Sequence, residues 1–191
     1  MPEIYLSDQT YEGKDFSIAP LERGEYEVCH FSHCNFSGVD LSGYKFIDCS
    51  FEDCNLSMAK LNKTVLNGIK FIGCKMPGLH FDTCQAFGLS FSFDNCQLNY
   101  SNFFGTKIPK TVFKNTNLLE VDFTESQLNG SIFDHCDLVR AVFENTNLEK
   151  SDFRTAIHYV IHPEKNRIKK ARFSTDGLPG LLQQYDIDIA T

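Results

Sequence analysis

The sequence predicts an all-β solenoid, a chain wound in four short straight pieces per turn around a core of its own side chains. The first observation is a spacing of five. Phe31, Phe36, Leu41, Phe46, Phe51, Leu56, Leu61, Leu66, Phe71, Met76 and Phe81 recur at that interval, and Phe93 to Phe153 resume it displaced by two. Of the 18 phenylalanines, 15 fall on these centres if the first run extends back to Phe16 and forward to Phe91. Five residues of α-helix turn about 500°, so such centres would drift around the helix and form no stripe. Along a flat strand an odd spacing would alternate faces. A period of five therefore needs a corner after each short straight piece.

The second observation is a small residue two positions before each centre. In the later run these are Cys96, Ser101, Thr106, Thr111, Thr116, Val121, Ser126, Ser131, Cys136, Ala141, Thr146 and Ser151. On a strand, positions two apart share a side, so both point inward. The other three positions carry polar residues, as a solvated exterior should. The third observation is identity at twenty. Phe31, Phe51, Phe71 and Phe91 form one column, Phe93, Phe113, Phe133 and Phe153 another, and Leu98, Leu118 and Leu138 a third. Twenty residues per turn make four pieces. Stacked turns then place like side chains roughly 4.8 Å apart. About 150 residues give seven or eight turns and a rod on the order of 35 Å long.

In chain order, the start is ragged, with Lys14 the one charged residue on an inward position. Gly38, Gly43, Gly68, Gly73, Gly78, Gly105 and Gly130 each follow a centre by two, where a corner favours permissive backbone angles. The register slips through residues 86–93. This is expected as a two-residue bulge within one rod, a hinge or a partner contact presenting Phe87 being the sharper alternative. The solenoid is assigned to residues 1–155. Residues 156–191 form a separate cap, in which Ser174, Thr175 and Asp176 precede a short helix through residues 177–185 and Ile187-Asp188-Ile189 reads as a terminal strand. An open solenoid end exposes apolar ladder ends. Leu178, Leu181, Leu182, Tyr185, Ile187 and Ile189 are therefore the candidates to cap their own rod or meet a second copy.

No apolar run is long enough to cross a bilayer, and the N-terminus lacks the pattern of a signal peptide. All eight cysteines (29, 34, 49, 54, 74, 84, 96 and 136) sit two before a centre and behave as small inward residues, which favours a reducing cytoplasm. Net charge is −7, unevenly spread. Residues 1–57 hold 11 acids and 3 bases, residues 58–115 hold 2 and 7, and residues 116–155 hold 8 and 3. An acidic exterior serves solubility, or it imitates a nucleic-acid backbone toward a DNA-binding protein. Cys29-His30-Phe31-Ser32-His33-Cys34 suggests metal ligands only superficially, since inward thiols and outward imidazoles do not converge. No phosphate loop or nucleophile motif is present. The expectation is a non-enzymatic protein with no cofactor and no metal, which recognises partners by its exterior.

Stretches such as Ala141-Val142-Phe143-Glu144-Asn145 and Ser151-Asp152-Phe153-Arg154-Thr155 resemble the pentapeptide repeat motif, a small residue, Asp or Asn, then Leu or Phe. The resemblance covers roughly residues 14–155 and implies a right-handed quadrilateral β-helix. The tail, with Pro163-Glu164, Asn166-Arg167-Ile168, a short helix and an Ile-x-Ile end, is similar to the Qnr quinolone-resistance proteins and the microcin B17 immunity protein, as is the stretch from Ser90 to Leu98 for the latter. That likeness implies a homodimer joined through its C-termini. It also implies protection of DNA gyrase or topoisomerase IV from quinolone or microcin-type poisons by DNA mimicry, without direct nucleic-acid binding. The five-residue spacing leaves no room for the projecting loops of the longer Qnr proteins. Glu120, Asp122, Glu125, Asp134 and Asp137 are the acids expected to face the partner. A general protein-protein scaffold with an unrelated partner is the alternative.

Overall fold

Among the described residues no strand is longer than four residues, because a corner interrupts each one. The computed structural model describes residues 4–190, so residues 1–3 of the expected solenoid and residue 191 of the expected cap lie outside the described residues. It is a right-handed parallel β-solenoid of about 7 turns with one short C-terminal helix. Strands β1 (Ile4–Ser7), β3 (Gly24–Glu27), β5 (Lys45–Ile47) and β7 (Val65–Asn67) make one sheet. Strands β2 (Thr10–Glu12), β4 (His30–Ser32), β6 (Ser50–Glu52), β8 (Ile69–Ile72), β9 (Phe91–Asp94), β10 (Val112–Lys114) and β11 (Ile132–Asp134) make the other. The seven-stranded sheet forms the first face of the square. Single bridges through Asp15, Asn35, Asn55 and Lys75 build the second face, and those from Asp40 to Lys60 and from His80 through Asn102 to Asp122 the third. The four-stranded sheet is the fourth face, continued by bridges from Lys107 through Gln127 and Asn147 to Arg167.

Register is twenty in every turn but one: Phe31 pairs with Phe51 and Phe51 with Phe71, yet Phe71 pairs with Phe93. Phe91 instead partners Ile69, so the expected Phe31–Phe91 column is corrected to continue through Phe93, and Phe91 takes the inward position beside it. The two additional residues leave the coil on the fourth face. Gln85 N–H still donates to Thr64 O at 2.9 Å, but Ser90 N–H reaches Leu66 O at 2.9 Å and Ser90 Oγ accepts from Gly68 N–H at 2.8 Å. Ala86, Phe87 and Gly88 are exposed between these anchors. The slip is a bulge, and the rod continues past it.

The core is a set of ring ladders. On the first face Tyr11, Phe31, Phe51, Phe71, Phe93, Phe113, Phe133, Phe153 and Phe173 stack with centroids 4.4 to 5.4 Å apart. On the third, Phe81, Phe103, Phe123 and Phe143 do the same, and the two columns meet edge to face, as at Phe113–Phe123 (5.8 Å, 78°). That is the arrangement aromatic quadrupoles prefer. The inward residues two before each centre do more than fit. Thr64, Ser126, Thr146 and Ser151 hydroxyls donate to the carbonyls of Leu41, Phe103, Phe123 and Leu128 one turn back, at 2.6 to 2.8 Å. A polar group there ties one turn to the next, and of the inward hydroxyls Ser131 Oγ is buried without a hydrogen-bond partner among the described residues.

Strand stacking passes the expected boundary at 155. Arg172 N–H donates to Ser151 O at 2.8 Å, and Phe173 stacks on Phe153, so the coil register extends to residue 173 across the irregular stretch 156–165. The cap then folds over it. The helix α1 (Pro179–Leu182), followed by a 3-10 turn at Gln183–Tyr185, is shorter than expected, and its N-cap is Leu178 with no side-chain hydrogen bond. Ser174 closes an earlier turn instead, its Oγ accepting Gly177 N–H at 3.1 Å. Ile161 N–H donates to Gly180 O at 3.0 Å, and a Cβ at Gly180 would lie 2.1 Å from Tyr159 O, so only glycine allows this approach. Leu181 is buried beneath the cap. Ile187-Asp188-Ile189, expected as a strand, pairs with no strand among the described residues and is exposed.

Candidate interaction surfaces

The rungs fill the interior, so what the molecule presents is its four faces and its two ends. The residue just before each centre faces outward and is often Asp or Asn, and the geometry shows why. Asp40 Oδ1 accepts Ser42 N–H at 2.9 Å, Asn102 accepts Phe104 N–H at 2.7 Å and Asp152 accepts Arg154 N–H at 3.1 Å. The short side chain caps the amide two residues on and holds the corner. Hydroxyl and guanidinium partners reinforce this. Ser17 holds the Asp15 carboxyl below the usual carboxylate range, as Ser42 does for Asp40, Thr155 for Asp134 and Arg154 for Asp152.

Two of the five acids expected to meet a partner belong to this corner machinery. Asp122 accepts Thr124 N–H at 2.8 Å, and Asp137 accepts Val139 N–H at 3.2 Å with the His158 ring 2.8 Å away. Glu120 pairs with Arg140 at 2.9 Å, and Asp134 is held by His135 at 2.8 Å and the Thr155 hydroxyl at 2.9 Å. Glu125 is exposed at a corner. The five span residues 120–137, less than one turn, so they ring the rod across three faces and do not run along it. The sequence already held this signal, since a stripe along the axis requires spacings near twenty.

His30 and His33 are exposed while Cys29 and Cys34 are buried, and no group of three or more metal-ligating side chains converges among the described residues. All eight thiols are free and buried. Burial pushes Cys49, Cys84 and Cys136 up to about 12. In the ladder Cys54–Cys74–Cys96, hydrogen bonding from its neighbours and then burial hold the Cys74 thiol protonated. These sulfurs fill space and donate to carbonyls, as Cys49 does to Tyr26 O at 3.2 Å.

At the C-terminal end Leu178, Tyr185, Ile187 and Ile189 are exposed and Leu182 half-buried, whereas Leu181 is buried, as the capping alternative requires. Val160, Leu182, Ile187 and Ile189 line a shallow groove there. Among the described residues no helix is long and apolar enough to cross a membrane.

Comparison with known proteins agrees with this architecture. The sequence pattern of a pentapeptide repeat region matches residues 25–103, and that of pentapeptide repeats in 8 copies matches residues 96–134 and 122–157. No curated protein matches the chain at the sequence level. Among solved structures, full-length QnrB1, a plasmid-mediated fluoroquinolone resistance protein, aligns with TM-score 0.56 at 18% identity over 96% of this chain and 100% of its own. A trypsin-treated form of QnrB1 aligns with TM-score 0.59 at 18% identity over 98% and 100%. At that identity the likeness is one of fold.

Proposed function

The chain belongs to the pentapeptide repeat family, and from that premise we propose that it is a non-catalytic binding protein that shields a type II topoisomerase, DNA gyrase or topoisomerase IV, from a quinolone or microcin-type poison. The observation that carries this reading is a filled rod whose chemistry lies outside, aligned over nearly its whole length with a fluoroquinolone resistance protein. Carboxylates at 120, 122, 125, 134 and 137 circle one level of that rod and would present negative charge to a basic DNA-binding groove. The exposed tail residues Leu178, Tyr185, Ile187 and Ile189 would join two copies end to end. Eight buried free thiols suit a reducing cytoplasm.

The test is gyrase supercoiling under a fluoroquinolone, or under microcin, with and without the protein at micromolar concentration. Restored supercoiling, lost on changing Glu120 and Glu125 together to Lys, is expected. Unchanged inhibition together with no measurable gyrase binding would remove the reading. A specific observation favours the alternative, a general scaffold: Asp122 and Asp137 serve corners, and Glu120 and Asp134 are already paired. Affinity capture from a cell extract that lacked topoisomerase subunits would support it.

A further inference from the structure

The fourth face is where the bulge emerges, and charge is also segregated along it. Its rungs are Leu6, Tyr26, Phe46 and Leu66 before the bulge, and Ile108, Leu128, Leu148 and Ile168 after it. Outward residues beside the first three rungs include Asp8, Glu25, Glu27 and Asp48, with Lys45 the one base. Those beside the last four carry Lys107, Lys110, Lys150, Arg167, Lys169 and Lys170, with Glu149 the one acid. Residues 65–68 and 85–90, between them, carry no charge. In that neutral middle Phe87 stands 88% exposed, with four rungs on either side of it.

A surface that reads acid, neutral with one aromatic, then base is complementary to itself when a second copy lies antiparallel. A two-fold axis through its middle is the symmetry that satisfies it. We propose that the fourth face is a self-association surface, on which two rods lie side by side and antiparallel. The two Phe87 rings meet at the axis, and each acidic head lies on the partner's basic tail. The level of Leu6 then faces that of Ile168, and the level of Tyr26 faces that of Leu148. A nucleic-acid strand would satisfy the lysines alone, leaving the acidic head repelled and Phe87 in water. A second copy satisfies all three zones. The face is about 40 Å long and one short strand wide, on the order of 500 Å². That is below the roughly 800 Å² per partner of a standard stable interface, so the association is weak and depends on salt. It uses a surface separate from the tail tips and does not depend on the topoisomerase reading.

The test is Phe87→Cys in the full chain. The native thiols are all buried, so the introduced one is the sole exposed cysteine among the described residues. Under mild oxidation at about 0.1 M salt a disulfide-linked dimer should accumulate, and at about 1 M salt, where screening falls to roughly 3 Å, its yield should drop at least tenfold. Adding Lys169→Glu and Lys170→Glu should reduce it similarly, and further adding Glu25→Lys and Glu27→Lys should restore it. Ile187→Asp, which strikes the tail tip, should leave it unchanged. In sedimentation, Phe87→Asp should weaken the salt-sensitive association of the otherwise native chain. Absence of the cross-link at low salt, or a cross-link indifferent to salt and charge reversal, overturns the proposal. So does loss of the cross-link with Ile187→Asp, or a sedimentation monomer that binds an oligonucleotide through its basic end.

Discussion

At most corners one residue takes a left-handed backbone, and glycine holds it at Gly38, Gly43 and Gly105, but so do Asp48, Lys63, Tyr100 and Glu120. The least suited occupant is Val28, whose φ is 54° and whose branched side chain gains little burial in return, being 39% exposed. Asn tolerates this region far better than a β-branched residue. Val28→Asn is accordingly expected to raise unfolding free energy by about 1 kcal/mol, measured by urea denaturation. An unchanged or lowered midpoint would mean the corner is not strained there. Gly24 shows the opposite constraint, since an added Cβ would sit 2.4 Å from Ile4 O and push β1 off its neighbour.

At the scale of the element, a strand of three or four residues is too short to hold itself and takes its order from the turns above and below. Phe113 is fully buried and stacks on Phe93 at 5.2 Å and on Phe133 at 5.0 Å, with Phe123 edge-on. Phe113→Ala should cost about 3–5 kcal/mol, the range for a truncated core aromatic. Because its contacts are to adjacent turns, hydrogen exchange should accelerate most in β9, β10 and β11. Uniform acceleration along the rod would show that the ladder unfolds as one unit instead of by neighbours. How far the ladders run was only partly legible. Phe173 lies twenty residues after Phe153 and completes its column, but the failed repeat at His158 conceals this. Ile161, Asn166 and the cap bring the chain back into register through contacts far apart in sequence, which no local period reveals.

For the whole molecule, pH acts through the corners. Asp15, Asp40, Asp134 and Asp152 are all held below the usual carboxylate range by hydrogen bonds to Ser17, Ser42, Thr155 and Arg154 respectively. A carboxyl depressed in the folded chain adds stability that is present above its unfolded pKa and lost as pH falls through the folded value. Stability should therefore be level from neutral pH to about 5 and decline below about 4. In Asp40→Asn with Asp152→Asn that decline should be shallower, as followed by thermal melts across pH. An identical acid limb in wild type and variant would show that these corners do not set it. The surface pairs Arg140–Glu120 and Arg167–Glu149 are exposed enough to contribute little beyond this.

The sequence by itself determined the five-residue pieces, the four faces, the inward small residues and the burial of every cysteine. All follow from a period repeated at short range, where each piece needs only to know which side is apolar. Tertiary structure alone decided which column Phe91 and Phe93 join, on which face Phe87 emerges, and that Leu181 caps the rod while Ile187 and Ile189 are left outside. Those outcomes depend on how one turn registers on the next across a two-residue insertion and at an open end. There the competing placements have the same local pattern, and only packing between distant segments separates them.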